Sequence, residues 1–382
     1  MKVLFTSSPA LGHVHPMVPL AMALAGRGHD VRWAVAAEAC PRVEAAGFGT
    51  FPAGMSVAER GAVFSRLYGD AMSLPPEQRP DFMFPAFFGQ ACTPKMLDDL
   101  LPVIENWRPA LVVNEAAELA GPLAASLAGV PHVTHAFGAI VPEHRMAAAA
   151  AAVAPLWQAH GGRPRSYGGV YDHLYLDIYP TSMRFGSYRH VPNVQSLRPV
   201  PFDAVADDGR APFVAGDRPL VYLTFGTVFN DTGLFASAMA GIARLDIDVL
   251  VTVGPAADPA ALGPVPPNVR VERYIPHTAV LPHCAAVVSH AGSGTFLAAL
   301  GMGIPQLCLP QGADQFINAR QGAAAGAALA LAPGEVSADA IGDAVGRLLV
   351  EPGFRSAAGR VRTEIEGMPS PDDVGAILEG LW

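Results

Sequence analysis

Short apolar segments alternate with helix-like runs along both halves of the chain, and this alternation restricts the possible fold more than any other feature. Glycines follow the predicted helices, as is common where a helix ends. Strands and helices at this spacing predict an α/β fold with a parallel, doubly wound sheet. In the first half, strands are predicted at Lys2–Thr6, Asp30–Ala36, Ala110–Val113 and His132–His135, and helices at Pro16–Ala25 and Pro41–Ala46.

The second half repeats the alternation after His190–Pro219, a segment rich in Pro, Asp and Arg with weak periodicity. The length of 382 residues also suits two domains. We therefore predict Rossmann-like domains at 1–200 and 220–367, a linker at 201–219, and an interdomain cleft where two substrates could meet. The second half has predicted strands at Leu220–Phe225, Val249–Val253, Val269–Glu272, Ala286–Ser289 and Gln306–Leu309, and predicted helices at Leu234–Ala243 and from Thr295 to Leu300.

Composition excludes several classes of protein. The net charge of −9 argues against a nucleic-acid partner, because such proteins carry a basic surface. No run of about 18 uncharged apolar residues is present, and the chain begins with a strand pattern instead of a signal-peptide layout. The four cysteines lack a CxxC pair and fit buried thiols in a reducing compartment. We predict a cytoplasmic protein with no membrane partner and no zinc site.

A small-residue turn, Ser289 to Thr295, joins a predicted strand to a predicted helix. Such a turn presents backbone N–H groups and the positive end of a helix dipole, which together bind diphosphate. Gly292 and Gly294 let the backbone approach phosphate oxygens, the hydroxyls of Ser293 and Thr295 can donate to them, and His290 adds a donor. The alternative is that the turn only packs a helix onto the sheet.

His13 lies where the first strand turns into the first helix, after Gly12 and before Pro16. A histidine at a helix N-terminus is shifted toward its neutral form and can act as a general base. Glu115, at the end of the strand that starts at Ala110, is the predicted carboxylate that orients it. The alternatives are a structural role for His13, a surface position for Glu115, and Glu118 as the partner.

Two further clusters suggest contacts to a nucleotide sugar. Tyr274 ends a predicted strand, where its ring could stack on a nucleobase while the Ile275 backbone pairs with the base edge. Asp314 and Gln315 follow another strand, and a carboxylate beside an amide suits bidentate hydrogen bonding to sugar hydroxyls. The alternative for Asp314 is capping of the next helix.

Three further motifs, one present and two absent, bear on the use of metals and cofactors. The sequence Asp246-Ile247-Asp248 has the DxD pattern of some metal-dependent glycosyltransferases, but it precedes a strand, at the end opposite to a site. We therefore predict no metal and no other cofactor. There is no GxxxxGK[ST] motif for phosphoryl transfer, and no GxGxxG follows the first strand, which argues against hydride transfer.

Two stretches, Met55–Phe88 and Gly138–Tyr179, break the alternation and are rich in aromatic residues and methionine. Such insertions often line apolar clefts, although they could instead cover their own core. From the first stretch we select Phe64, Met83, Phe84 and Phe88 as candidate acceptor contacts.

Together these motifs resemble the family 1 glycosyltransferases of the GT-B fold, in particular the calicheamicin-type actinobacterial enzymes that decorate polyketide, macrolide and enediyne antibiotics. The likeness spans nearly the whole chain and is strongest from Val269 to Gln321. It is weakest in the two aromatic insertions. The family usually has Trp-Val-Pro-Gln where this chain has Tyr274-Ile275-Pro276-His277, and more often Asp at the position of Glu115.

The resemblance implies an N-terminal acceptor domain with His13 as base and Glu115 as its partner, and a C-terminal donor domain. It implies that Gly226 and Thr227 touch the same phosphates as His290 and Gly292–Thr295, and that Asp314 and Gln315 contact the donor sugar. The last helix, within 368–382, would return to the N-terminal domain.

We therefore predict an inverting, metal-independent transfer of a (deoxy)sugar from a nucleotide diphosphate, with TDP favoured over UDP, to a hydroxyl of a hydrophobic natural product. Two alternatives are a transferase acting on a lipid-linked or cell-wall acceptor, and a non-catalytic protein that binds sugar nucleotides. A homodimer is compatible with the sequence.

Overall fold

The structure, a computed structural model, describes residues 1–75, 78–203, 218–226, 232–254 and 257–381. It divides into two compact units. The first unit comprises Met1–Ile178, Gly186–Leu197 and Pro369–Trp382, and the second comprises Tyr179–Phe185 and Arg198–Met368. Each unit is built around a parallel sheet of its own.

The sheet of the first unit has the strand order β3-β2-β1-β4-β5-β6-β7, with parallel pairing throughout the described strands. The chain moves outward from β1 to β3 and then returns to β4 on the other side of β1. The loops after β1 and β4 therefore meet at a topological switch point, where ligands bind in such sheets. The strands are β1 (Lys2–Thr6), β2 (Asp30–Val35), β3 (Gly49–Pro52), β4 (Leu111–Glu115), β5 (His132–His135), β6 (Leu174–Asp177) and β7 (Val194–Ser196).

Helices cover this sheet, and several lie in the two aromatic stretches, Met55–Phe88 and Gly138–Tyr179, that break the alternation. Met55–Phe88 contains two α-helices and the start of a π-helical segment, Phe84–Cys92, and Gly138–Tyr179 contains a long α-helix. These helices agree with the alternative that the stretches form a covering layer, and a capping box of Ser56 and Glu59 starts the first of them. The helices are α1 (Leu11–Val14), α2 (Val18–Gly26), α3 (Cys40–Ala45), α4 (Val57–Ala71), α5 (Arg79–Met83), α6 (Thr93–Trp107), α7 (Ala120–Ala128) and α8 (Glu143–Ala159).

The second unit has a parallel sheet of strand order β10-β9-β8-β11-β12-β13, with its own switch point between β8 and β11. Its strands are β8 (Leu220–Thr224), β9 (Asp248–Thr252), β10 (Val269–Glu272), β11 (Cys284–Ser289), β12 (Gln306–Cys308) and β13 (Ala328–Ala330). Its helices are α9 (Thr232–Ile242), α10 (His277–Val280), α11 (Ser293–Gly301), α12 (Gln315–Ala324), α13 (Ala338–Val350) and α14 (Pro352–Gly367). Both sheets agree with the predicted α/β class.

The final helix, α15 (Pro371–Glu379), belongs to the first unit. Its residue Glu379 accepts hydrogen bonds from Arg27 Nη2 at 2.5 Å and contacts His29 Nε2 at 2.8 Å. The resemblance had implied this return of the last helix. None of the helices in the described ranges is long and apolar enough to cross a membrane.

A short segment inside the predicted N-terminal domain belongs to the second unit. Tyr179–Phe185 is held there by a hydrogen bond from Tyr179 Oη to Asn318 Oδ1 at 3.0 Å, and by the guanidinium of Arg320, 4.4 Å from the ring centre of Phe185. The residues predicted as 1–200 are therefore shared between the two units.

Candidate active site

His13 and Glu115 come together at the switch point of the first sheet. His13 lies in α1, directly after β1, and Glu115 is the last residue of β4, the strand that pairs with β1. The Nδ1 atom of His13 is 2.9 Å from Oε1 of Glu115. With Nδ1–H donating to the carboxylate, Nε2 keeps its lone pair and can accept a proton.

The carboxylate of Glu115 is fully buried and receives three hydrogen bonds. Besides His13, the backbone N–H of Ala117 donates to Oε2 at 2.5 Å and that of Ser8 donates to Oε1 at 3.3 Å. Burial alone would raise the pKa of Glu115, but the His13 ring and the two N–H groups outweigh burial and lower it. Glu115 is thus ionised at neutral pH and can stabilise an imidazolium at His13.

Glu118, the rival partner, is buried beneath the same switch point and does not contact His13. It accepts hydrogen bonds from Thr6 Oγ1 at 2.6 Å and from the N–H groups of Ala120 and Gly121 at 2.7 and 2.9 Å. Burial raises the pKa of Glu118 to about 7, and the nearby charge of Glu115 acts in the same direction. Its hydrogen bonds join the end of β1 to the start of α7.

Aromatic rings surround His13. Its ring stacks on Phe137 at a centroid distance of 4.6 Å and is tilted against Phe88 at 5.6 Å. Phe84 is 5.3 Å from Phe88, so these two candidate acceptor contacts adjoin the base. Sequence reasoning missed Phe137, although it stands only two residues after the end of β5, on the same sheet edge as Glu115.

The other two candidate acceptor contacts lie on α4 and α5. Phe64, on α4, packs edge-on against Phe87 at 5.4 Å and stacks on Tyr68 at 5.8 Å. Phe64 is 40% exposed, so part of it faces solvent. Met83 ends α5 and is half-buried beside the π-helical segment.

In the second unit, the turn from β11 into α11 has the geometry of an anion site. Gly292 is the N-cap of α11. Because glycine has no side chain, no capping hydrogen bond is made to the backbone N–H groups of the first helical turn. Within the described residues, the backbone N–H groups of Ser293, Gly294 and Thr295 have no acceptor. Three free N–H groups at the positive end of a nine-residue helix can bind a phosphate group.

Two glycines make room for the His290 ring beside this turn. A Cβ atom on Gly226, whose φ is +75°, would lie 2.7 Å from Cε1 of His290, and one on Gly292 would lie 2.5 Å from Nε2. Burial lowers the pKa of His290 to about 4, so the ring is neutral at physiological pH. His290 therefore offers a hydrogen bond at the turn but no charge. Thr227, predicted to join this site, lies outside the described residues.

The polar side chains at this turn bind one another. Ser293 Oγ donates to Oδ2 of Asp314 at 2.6 Å, and Asn318 Nδ2 donates to Ser293 Oγ at 2.9 Å and to the carbonyl oxygen of Ala291 at 2.8 Å. We predicted that the Ser293 hydroxyl donates to phosphate, whereas here its proton is directed at Asp314. Asp314 occupies the N-cap position of α12, but its side chain makes no capping bond.

Gln315 is almost fully buried and shapes the loop before α12. Its Oε1 accepts from the N–H groups of Gln311 and Gly312 at 2.8 and 3.0 Å. The amide oxygen that we predicted for a sugar hydroxyl is therefore occupied within the loop. Asp314, the other residue predicted to contact the donor sugar, accepts hydrogen bonds at Oδ2 from Ser293 and Asn318.

Asp203 organises the segment predicted to hold the nucleobase, and sequence reasoning missed it because it stands in the predicted linker. Its carboxylate accepts from Tyr274 Oη at 3.2 Å, from the N–H groups of His277 and Thr278 at 3.0 Å each, and from Thr278 Oγ1 at 2.8 Å. The His277 Nε2 atom in turn lies 3.5 Å from Thr295 Oγ1. The Tyr274–Ile275 turn is thereby fixed next to the start of α11.

The DxD motif has a structural partner. Arg218 bonds to the carboxylate of Asp248, the first residue of β9, and its Nη1 lies 3.8 Å from Asp246. Across the described ranges no group of three or more His, Cys, Asp or Glu residues is arranged to hold a metal.

Comparison with known proteins supports one family for this chain. Residues 79–203 match the family model described as the erythromycin biosynthesis protein CIII-like N-terminal domain, and residues 236–381 match the corresponding C-terminal domain. The chain is 34% identical to the elloramycin glycosyltransferase ElmGT of Streptomyces olivaceus, over 99% of this chain and 97% of that protein. This chain is a family 1 glycosyltransferase.

Solved structures show that the glycosyltransferase has the GT-B fold. The spinosyn rhamnosyltransferase SpnG covers the whole chain with a TM-score of 0.84 and 27% identity. The Streptomyces sp. SF2575 glycosyltransferase SsfS6, complexed with thymidine diphosphate, gives a TM-score of 0.83 and 27% identity over the whole chain and 99% of SsfS6. The chain is thus an NDP-sugar-dependent glycosyltransferase of the natural-product type.

Proposed function

We propose that this enzyme transfers a (deoxy)sugar from a TDP-sugar donor to a hydroxyl group of a hydrophobic polyketide aglycone, with inversion at the anomeric carbon and without a metal ion. The observation that carries the proposal is the contact between His13 and the buried, ionised Glu115. Relatives support the substrate classes: the TDP-daunosamine transferase DnrS of Streptomyces peucetius is 32% identical over the full chain, and SpnG has been solved with a spinosyn aglycone. An enediyne acceptor remains a prediction.

His13 would act as the general base. Its Nε2 atom removes the proton from the acceptor hydroxyl as the oxygen attacks the anomeric carbon. Glu115 holds Nδ1–H and offsets the positive charge that develops on the ring, the role that a buried carboxylate plays beside a catalytic histidine. Phe88 and Phe137 flank the ring and would limit the access of water to the reacting proton.

The start of α11 would stabilise the leaving group. As the bond between the anomeric carbon and the diphosphate oxygen breaks, negative charge accumulates on the departing TDP. The free N–H groups of Ser293, Gly294 and Thr295 and the neutral His290 can donate to that charge, which is the task of a metal ion in other transferases. Asp314 would bind a hydroxyl of the sugar, and Tyr274 would stack on the base.

The test is an assay in EDTA with a panel of TDP-deoxysugars and aromatic or macrolide aglycones, with products identified by mass spectrometry. NMR coupling constants of the glycoside then report the anomeric configuration. We expect an anomeric configuration opposite to that of the donor and no loss of rate in EDTA. Retention of configuration, or activity that requires a divalent ion, would contradict the proposal.

The same assay addresses the two alternatives. A lipid-linked acceptor would be indicated by transfer to polyprenyl carriers in vesicles and not to the aglycones. A non-catalytic nucleotide-sugar-binding protein would bind TDP and release no TDP from the sugar donors.

A further inference from the structure

Arg60 projects from α4 to the end of β1, beside the His13–Glu115 pair. Its Nη2 donates to Ser8 Oγ at 3.3 Å and its Nη1 to Cys92 Sγ at 3.1 Å. Its guanidinium carbon lies 4.9 Å from the ring centre of Phe87. Arg60 is half-buried, and nothing in the proposed transfer uses it.

The charge of Arg60 is not neutralised by these contacts. A serine hydroxyl and a phenylalanine ring are uncharged, and burial raises the pKa of the Cys92 thiol even though Arg60 opposes this effect. Among the described residues no carboxylate forms an ion pair with Arg60. A half-buried guanidinium with uncharged partners and spare N–H donors is a favourable partner for an anionic oxygen of a ligand.

The aromatic rings define where such a ligand would lie. Phe88 is 5.6 Å from the His13 ring, Phe87 is 5.1 Å from Phe88, and Phe87 carries Arg60 on its face. Consider a flat aglycone whose reacting hydroxyl lies at His13 and whose rings lie along Phe88 and Phe87. The far end of this aglycone reaches Arg60. Ser8 connects the two ends, since its N–H donates to Glu115 and its hydroxyl accepts from Arg60.

Resting on the proposed transferase function, we propose that Arg60 determines acceptor specificity by binding a phenolate or enolate oxygen on an aglycone ring remote from the glycosylated hydroxyl. The acceptor class is therefore a flat, acidic polyketide instead of a neutral one. In this role Arg60 is a specificity residue that contacts substrate, and its hydrogen bond to Ser8 keeps the guanidinium in place.

The experiment measures binding of two probes to the full-length enzyme without sugar donor: a dihydroxyanthraquinone and its O-methyl ether. The phenolate form of the dihydroxyanthraquinone absorbs at longer wavelength than the phenol, so its titration can be followed by absorbance. A cation within hydrogen-bond distance should lower the titration midpoint of the bound phenol by about one pH unit or more. We expect this shift in the wild type, partial retention in Arg60→Lys, and loss in Arg60→Gln. Arg66→Gln, which removes the same charge from the exposed side of α4, is the matched control and should behave as wild type.

Binding of the O-methyl ether separates specificity from structure. If Arg60 contacts the phenolate, Arg60→Gln weakens binding of the dihydroxyanthraquinone about tenfold and leaves the ether within about twofold. Three results would overturn the proposal. The titration midpoint of the bound phenol could be the same in wild type and Arg60→Gln, the variant could lose equal affinity for the dihydroxyanthraquinone and its ether, or the dihydroxyanthraquinone could fail to bind the wild type. A His13→Ala background should keep the midpoint shift. Since no donor or turnover is involved, failure here is distinct from failure of sugar transfer.

Discussion

The Nδ1 atom of His13 lies 2.9 Å from the Glu115 carboxylate although 102 positions separate the two residues in the chain. The doubly wound order of the first sheet produces this contact, because β1 and β4 are neighbours and their carboxyl ends share one edge. The backbone N–H groups of Ser8 and Ala117 fix the carboxylate from both sides. The histidine is therefore oriented before any substrate binds.

Glu115→Gln should lower the turnover number by roughly 10²–10⁴. The amide of Gln carries no negative charge, so it binds the Nδ1–H group of His13 more weakly and does not stabilise the imidazolium. Glu115→Asp, which keeps the carboxylate, should retain more activity than Glu115→Gln. Single-turnover rates at saturating donor measure both variants, and calorimetry should show unchanged TDP affinity. A Gln variant as fast as the Asp variant would show that the charge of Glu115 is unimportant.

Glu118 should make stability depend on pH. Its pKa is about 7 when folded and near its ordinary 4.5 when unfolded, so the folded state holds the proton more tightly. The free energy of unfolding contributed by this group is then fully present below about pH 4.5 and is lost as the pH rises through about 7.

Glu118→Gln removes this dependence. Chemical denaturation from about pH 5 to about pH 8 should show the variant gaining stability relative to wild type by up to roughly 3 kcal/mol. The substitution also alters the hydrogen bonds with Thr6 and Gly121, which shifts the free energy of unfolding by the same amount at every pH. This shift does not change how the difference between the two proteins varies with pH. Parallel pH profiles for the two proteins would mean that Glu118 is already ionised in the folded enzyme.

Gly294→Ala tests whether phosphate approaches the start of α11. A Cβ atom there meets nothing within 4 Å, so the fold itself should lose no stability. A bound phosphate would nevertheless be crowded, and TDP affinity should fall tenfold or more, a loss of about 1.4 kcal/mol. Gly301→Ala, at the other end of the helix and with its nearest neighbour at 4.0 Å, is the control. TDP titrations in which the two variants match would place the diphosphate elsewhere.

Asp203→Ala should loosen the turn that holds the nucleobase. It removes the shared acceptor of Tyr274, His277 and Thr278, so we expect TDP affinity to fall about tenfold with little change in turnover at saturating donor. Tyr274→Phe removes only one of these bonds and should have a smaller effect. A lower turnover number with unchanged TDP affinity would show that Asp203 acts elsewhere.

The sheets were predictable because buried parallel strands are continuous apolar runs. Lys2–Thr6, which contains the apolar run Val3-Leu4-Phe5, has the predicted bounds in the structure. A helical layer was one of two alternatives for Met55–Phe88, but the positions of its helices were not predicted, since α4 has one buried residue at its end and lacks a strong apolar face. Ser56 and Glu59 at its start were the available signal.

The sequence indicated which residues gather at each sheet edge but not how their side chains are used. His13 and Glu115 follow from strand order, whereas the bond from Ser293 to Asp314 depends on the loop before α12, where Ala313 has a φ of +52°. Asp203 and Arg60 could not be found from motifs because their partners are distant in the chain. Such contacts depend on tertiary packing, which periodicity does not report.

The most direct test of the account is the single-turnover rate of His13→Ala against wild type, at saturating TDP-sugar and aglycone in EDTA. The account predicts a rate lower by about 10²–10⁴ with unchanged TDP affinity, because the variant keeps the donor site and loses the base. A His13→Ala enzyme that transfers sugar at the wild-type rate would contradict the assignment of His13 and, with it, the proposed mechanism.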